Sequence, residues 1–196
     1  MNMMKKSLLA LALSSTLLFS GCGYNTLQAK DESVIAAWSE VQNQYQRRAD
    51  LVPNLVNVVK GYAKHEQDVL TQVTEARASV AGLKVDKEVL ENPELFKKYQ
   101  EAQSQLSLAL KSLLSVQENY PELKANEQFK DLQVQLEGTE NRISTARGRY
   151  VETVQDYNTY VRQFPQAMTA KVIGMKTKEN FSADSAAQKA PTVSFN

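Results

Sequence analysis

Between Asn126 and Phe164 apolar side chains recur every three or four residues, with no proline to interrupt them. Phe129, Leu132, Leu136, Ile143, Tyr150, Val154, Tyr157, Val161 and Phe164 fall on one face of a helix, with Glu140 and Arg147 in the same stripe. As a helix this run is roughly 58 Å long. A stripe of that length is buried only against other long helices. Gly138 lies inside the run at a cost of about 1 kcal/mol relative to alanine, either for a close helix approach or simply tolerated.

The remaining chain supplies the partners. Val34, Ile35, Trp38, Val41 and Tyr45 make a first face. Leu55, Val59, Tyr62, Glu66, Val69, Val73, Ala76 and Val80 make a second, ended by Ala81-Gly82. Leu95, Tyr99, Ala102, Leu106, Leu110, Leu113 and Val116 make a third. Asn92-Pro93-Glu94 starts that third helix with a cap, a first-turn proline and an acid at the positive helix end. Tyr120-Pro121 and Pro165 are stops. Pro53 clashes with the carbonyl of Ala49, which predicts a break over residues 49–54, with a kink in one long helix as the other outcome. No segment alternates with period two. The expectation is all-α: an elongated up-and-down four-helix bundle of coiled-coil character over residues 31–165. Residues 166–196 read as an extended, largely disordered tail, rich in Ala, Ser, Lys and Gln from Ser182 onward.

Residues 1–21 read as an export signal. Lys5 and Lys6 precede an apolar stretch, Ser7 to Phe19, too short to cross ~30 Å of hydrocarbon as an ordinary helix. Leu18-Phe19-Ser20-Gly21-Cys22 resembles a bacterial lipobox. The resemblance implies cleavage before Cys22 and acylation of its thiol and new amine, palmitate among the chains. Phe19 stands where leucine is commonest. Residues 22–30 would be a lipidated tether, and two or more acyl chains make a stable anchor. Cleavage removes two of 23 basic residues against 22 acidic ones, so lipid rather than net charge would hold the mature protein. The expected location is the membrane-anchored cell envelope, with the bundle on the extracytoplasmic side, periplasm-facing in a Gram-negative cell. Gly23, not aspartate, follows Cys22 and favours the outer membrane there.

Residue counts exclude several chemistries. One cysteine closes no internal disulfide. One cysteine and one histidine build neither a Cys/His zinc site nor a two-histidine centre. The carboxylate-bridged di-iron site of helical bundles needs two Glu-x-x-His pairs, and His65 is preceded at that spacing by Tyr62. Balanced charge gives no case for nucleic acid. No cofactor and no metal are expected.

Glu66, Arg77, Glu140 and Arg147 lie on or beside the apolar stripes, with His65 and Glu118 nearby. Three readings stand: solvated helix edges, a buried ion-pair network that fixes helix register, or a ligand or catalytic site. Tyr45, Tyr62, Tyr99, Tyr120, Tyr150 and Tyr157 read as core or half-core residues with hydroxyls near the surface. Trp38 reads as a bundle anchor.

Arg47-Arg48-Ala49-Asp50-Leu51-Val52-Pro53-Asn54-Leu55-Val56, followed by Lys60-Gly61-Tyr62-Ala63-Lys64-His65-Glu66, resembles the hallmark of the LemA family. Glu118 to Asn126, Leu136 to Ile143, Ala146-Arg147, Tyr157-Asn158, Phe164-Pro165 and Pro191 to Phe195 resemble its later blocks. Val151 departs from the asparagine usual after the family's tyrosine. The resemblance implies a membrane-associated, elongated helical bundle and assigns no reaction. The expected function is a non-enzymatic scaffold or interaction module anchored at Cys22, with envelope proteins as partners. The alternative is a small-molecule-binding or hydrolytic protein using a polar centre of the bundle.

Overall fold

The structure, a computed structural model, describes residues 2–83 and 86–181, with side chains from Gly23 onward. The described residues form six α-helices and two short 3-10 turns, with no strand among them. The helices are α1 (Asn2–Tyr62), α2 (Gln67–Ala81), α3 (Pro93–Ser115), α4 (Pro121–Ala125), α5 (Glu127–Arg162) and α6 (Gln166–Val172). Among the described residues no helix is long and apolar enough to cross a membrane. Cys22 lies within α1, and its side chain is outside the described ones.

α1 and α5 form the long antiparallel pair, tied in reversed order by Lys30–Asp156, Arg48–Glu140 and Tyr62–Asn126. α2 folds back on α1, and α3 packs on α2. Two apolar clusters follow. One holds Leu27, Val34, Trp38, Val41, Tyr150, Val154 and Tyr157; the other holds Leu55, Val59, Val73, Leu106, Leu113, Phe129 and Leu136. Most residues of the sequence's apolar stripes fall in these clusters, but Tyr62, Leu95 and Phe164 are exposed instead.

The capping residues act as their chemistry dictates. Asn92 Oδ1 accepts from the amides of Glu94 and Leu95 at the start of α3. Asn126 Oδ1 accepts from the Phe129 amide at the start of α5. Gly138 has nothing within contact distance of an added Cβ, so it serves no close helix approach.

Four details correct the sequence reading. The break expected over residues 49–54 is absent, and α1 runs through Pro53. Proline supplies no amide for the Ala49 carbonyl, but Arg77 Nε of α2 donates to that oxygen at 3.1 Å. Leu51, Val52 and Leu55 are buried on both sides of the proline and hold the helix in line. The second expected helix is instead divided at Ala63–Glu66. Its apolar period continues across the turn, so periodicity conceals the division. There Glu66 accepts from the Tyr120 hydroxyl, and Tyr62 accepts from Asn126.

The bundle also does not end at Pro165. α6 follows, and residues 175–181 run back along α5 as a strap. Asn158 donates to the Lys178 carbonyl at 2.9 Å and accepts from the Lys178 amide at 2.8 Å, replacing a ladder bond from each side. Tyr157 and Tyr150 donate their hydroxyls to the carbonyls of Lys176 and Glu179. The extended tail therefore does not begin at 166; residues 182–196, including Pro191 to Phe195, lie outside the described residues. With its short extra helices the body is also more than the four helices expected.

Candidate functional site: a polar groove floored by Arg48

Arg48 is the most deeply buried charge among the described residues. It sits on α1, is 1 % exposed, and reaches two other helices. Its guanidinium donates to the Gln103 carbonyl at 3.1 Å and Gln103 Oε1 at 2.5 Å. It also donates to Ser107 Oγ at 2.5 Å and Glu140 Oε1 at 3.0 Å. The Tyr45 ring lies 5.1 Å from its central carbon, one helical turn away on α1. A buried guanidinium needs such a full set of acceptors, because an unpaired buried charge is strongly unfavourable. Here only its Nε, and the Gln103 amide nitrogen, have no hydrogen-bond partner among the described residues.

Above Arg48 opens a groove of about 750 Å³ between α3 and α5. Lys97, Gln100, Glu101, Ser104 and Ser107 line it from α3, and Glu140, Ile143 and Arg147 from α5. Phe181 of the strap closes one side. Arg147 stacks over that ring at 4.3 Å. Burial raises the Tyr45 hydroxyl above its ordinary pKa, against the opposing pull of Arg147 and Arg48. Burial likewise pushes Tyr99 up, so both phenols stay neutral hydrogen-bonding groups beside the groove.

The four charged residues singled out in sequence are divided by this geometry. Glu140 and Arg147 share the groove, both half-buried. Arg77 serves the Ala49 carbonyl, and Glu66 accepts from Tyr120 at the turn after α1. They do not act as one network. His65 and Glu118 are exposed. The partner that organises Glu140 is Arg48, which sequence reasoning placed in a motif but not in a buried site. An Arg-Arg-Ala-Asp segment reads as a helix end in water, and Gln103, Ser107 and Glu140 lie far away along the chain. Trp38 is buried within ring contact of Phe96, Tyr99, Tyr150 and Phe181. Tyr45, Tyr99, Tyr150 and Tyr157 are core residues, whereas Tyr62 is exposed.

Lys178 is a second buried cation. Its ammonium meets Asp31 at 2.8 Å and Glu91 at 2.7 Å, fastening the strap to α1 and to the 3-10 turn before α3. Burial alone would lower its pKa, but the bonds to Asp31 and Glu91 outweigh it and hold the value above that of an ordinary lysine. Among the described residues no three His, Cys, Asp or Glu side chains gather as a metal site.

The LemA family model matches residues 37–195. Two curated relatives, magnetosome proteins MamQ 1 and MamQ 2 of Paramagnetospirillum magneticum, are each 25% identical over 176 residues. The match takes in 81% of this chain and 64% of each relative, so the chain spans less than two thirds of their length. The family match includes the groove residues Arg48, Gln103, Glu140 and Arg147, and the strap.

Proposed function

The chain belongs to the LemA family, and on that footing we propose that it is a lipid-anchored envelope protein whose helical body binds other envelope components rather than catalysing a reaction. Cys22 is the attachment point. The observation that carries the binding role is the groove itself. Its one fully buried charge, Arg48, is committed to Gln103, Ser107 and Glu140. What remains at the rim is a set of amides, hydroxyls and charges of both signs: Gln100, Ser104, Lys97, Glu101 and Arg147. That inventory suits hydrogen-bonded recognition of a polar chain.

The test is a photo-crosslinking residue at Ser104, in the groove, with Val134 on α5 as the control, in cells carrying the full-length protein. A discrete adduct from position 104, absent from 134 and reduced by Arg48→Met, is the expected result. Indistinguishable adducts from the two positions, or none from either, would overturn the reading.

A second reading takes the groove as a site for a small polar molecule. Arg48 Nε and Gln103 Nε2 are buried donors without protein partners among the described residues, and both residues line it. A hydrolytic version would draw on Glu101 and Glu140, one from each wall. Native mass spectrometry of protein released gently from membranes separates the readings: a small bound mass lost in Gln103→Leu favours this one.

A further inference from the structure

The end of the body beside Cys22 is apolar on its outside. Tyr24, Phe164, Met168, Val172 and Ile173 are exposed large apolar residues drawn from two segments, the stretch after Cys22 and α6 with its flanks. Phe164 is 81 %, Met168 64 % and Val172 85 % exposed. The other exposed large apolar residues described are Tyr62 at the far end of α1, Leu95 and Leu108 thirteen residues apart on α3, and Val134 on α5. The two segments are in contact: a Cβ built on Gly23 would lie 3.9 Å from Gln166 Cγ, and α6 packs along α1. Ala170 is the buried side of α6, in the cluster with Leu27 and Val161. Met168 and Val172, four residues apart, share the outward side. A short helix that keeps its larger apolar residues outside is arranged for a surface other than water.

The charge pattern points to the kind of surface. The whole chain is nearly balanced, but from Arg162 through Lys178 there is no acidic residue. Arg162, Lys171 and Lys176 are all exposed. From Gly23 to Lys30 there is no acidic residue either. Lys30 is paired with Asp156 on α5, so among the described residues the unpaired charges of these two segments are the exposed Arg162, Lys171 and Lys176. Exposed apolar side chains in a segment whose only charges are cations fit an anionic lipid interface.

We propose that this end lies directly on the membrane, with Phe164, Met168 and Val172 in the interfacial layer and Lys171 and Lys176 against lipid phosphates. The inference rests on the anchor reading at Cys22 and adds an orientation to it. Residues 23–30, expected as a tether, lie within α1 with Leu27 buried in the core, so no loose linker leaves the body free to tumble. α1 and α5 rise from the bilayer, and the turn at Ala63–Glu66 is the distal tip.

The experiment uses the full-length lipidated protein in vesicles of phosphatidylethanolamine and phosphatidylglycerol, with acyl chains brominated in half the samples. Acylated Cys22 is unreactive, so Met168→Cys, Val172→Cys and the control Val134→Cys each take one bimane label. Flotation reports the anchor, and bromine quenching reports the patch. Protein that floats, loses bimane fluorescence at 168 and 172, and keeps it at 134 is the expected result. Protein that floats with all three labels unquenched overturns the patch while leaving the anchor intact. Quenching at 134 as well overturns the upright orientation. Labels shielded from aqueous iodide but untouched by bromine assign the patch to a protein partner, against the proposal. Protein that does not float fails the anchor reading and the inference with it.

Discussion

Arg77 Nε donates to the Ala49 carbonyl oxygen at 3.1 Å, at the position in α1 where Pro53 has no amide to offer. A side chain of α2 thereby completes the backbone of α1. Ala49 is buried, and Arg77 supplies its carbonyl with the donor that Pro53 lacks. Arg77→Ala is expected to cost about 1–3 kcal/mol of unfolding free energy, the desolvation penalty of one unsatisfied acceptor. In a Pro53→Ala background the new amide takes over, and the cost of Arg77→Ala should shrink. The measurement is a double-mutant cycle by denaturant unfolding, with a coupling of about 1 kcal/mol expected. Additive effects would contradict it.

Arg48 and Glu140 are unequal partners. Arg48→Met removes every bond that α1 makes to Gln103, Ser107 and Glu140, and should destabilise by about 2–4 kcal/mol. Glu140 keeps 42% of its side chain in water, so Glu140→Gln should cost under about 1 kcal/mol. Thermal melts of the two variants check the order. Equal losses would mean that the pair, rather than the buried guanidinium, is the stabilising unit.

Phe181 joins the strap to the aromatic cluster, within ring contact of Trp38, Phe96 and Tyr150. Phe181→Ala is expected to cost about 2–3 kcal/mol. As the only tryptophan, Trp38 reports the same change optically. Its emission should shift to the red as its cover is lost. An unchanged spectrum would show that the strap does not shield the cluster.

Alkaline pH should loosen the body. Burial raises Tyr99 and Tyr150 and lifts Tyr157 to about 12; Lys178, with burial opposing, is raised by Asp31 and Glu91. In each case the folded protein holds the proton more tightly than the unfolded chain. The stability they contribute is complete below pH ~10 and is lost as pH rises through the folded values. Unfolding midpoints should fall between pH 10 and 12, and less steeply in Tyr157→Phe. Phenolate absorbance should rise together with loss of helical circular dichroism. Phenolate appearing with helicity intact would contradict the burial argument.

Helix faces were legible in the sequence because burial there follows local periodicity. Asn92, Asn126, Pro121 and Pro165 marked their boundaries because capping and proline chemistry are local too. The continuous path through Pro53 was not legible, since the atom that permits it belongs to Arg77 on another helix. The turn at Ala63–Glu66 was hidden by an unbroken apolar period. The strap was missed because Lys178 looks like a surface lysine until Asp31 and Glu91 are folded around it. Arg48 was visible as a motif residue but not as a site, for the same reason. The anionic-surface argument was present in sequence as a missing carboxylate between Arg162 and Lys178. It gained meaning once α6 was placed beside Gly23.

The central claim is attachment through Cys22, because both the envelope role and the membrane-facing end depend on it. Intact-mass and N-terminal peptide mass spectrometry of protein purified from membranes tests it most directly. The account predicts a mature chain whose first residue is Cys22, carrying a diacylglyceryl thioether and an N-acyl group. An unmodified Cys22, or a chain that begins at any other residue, would contradict it.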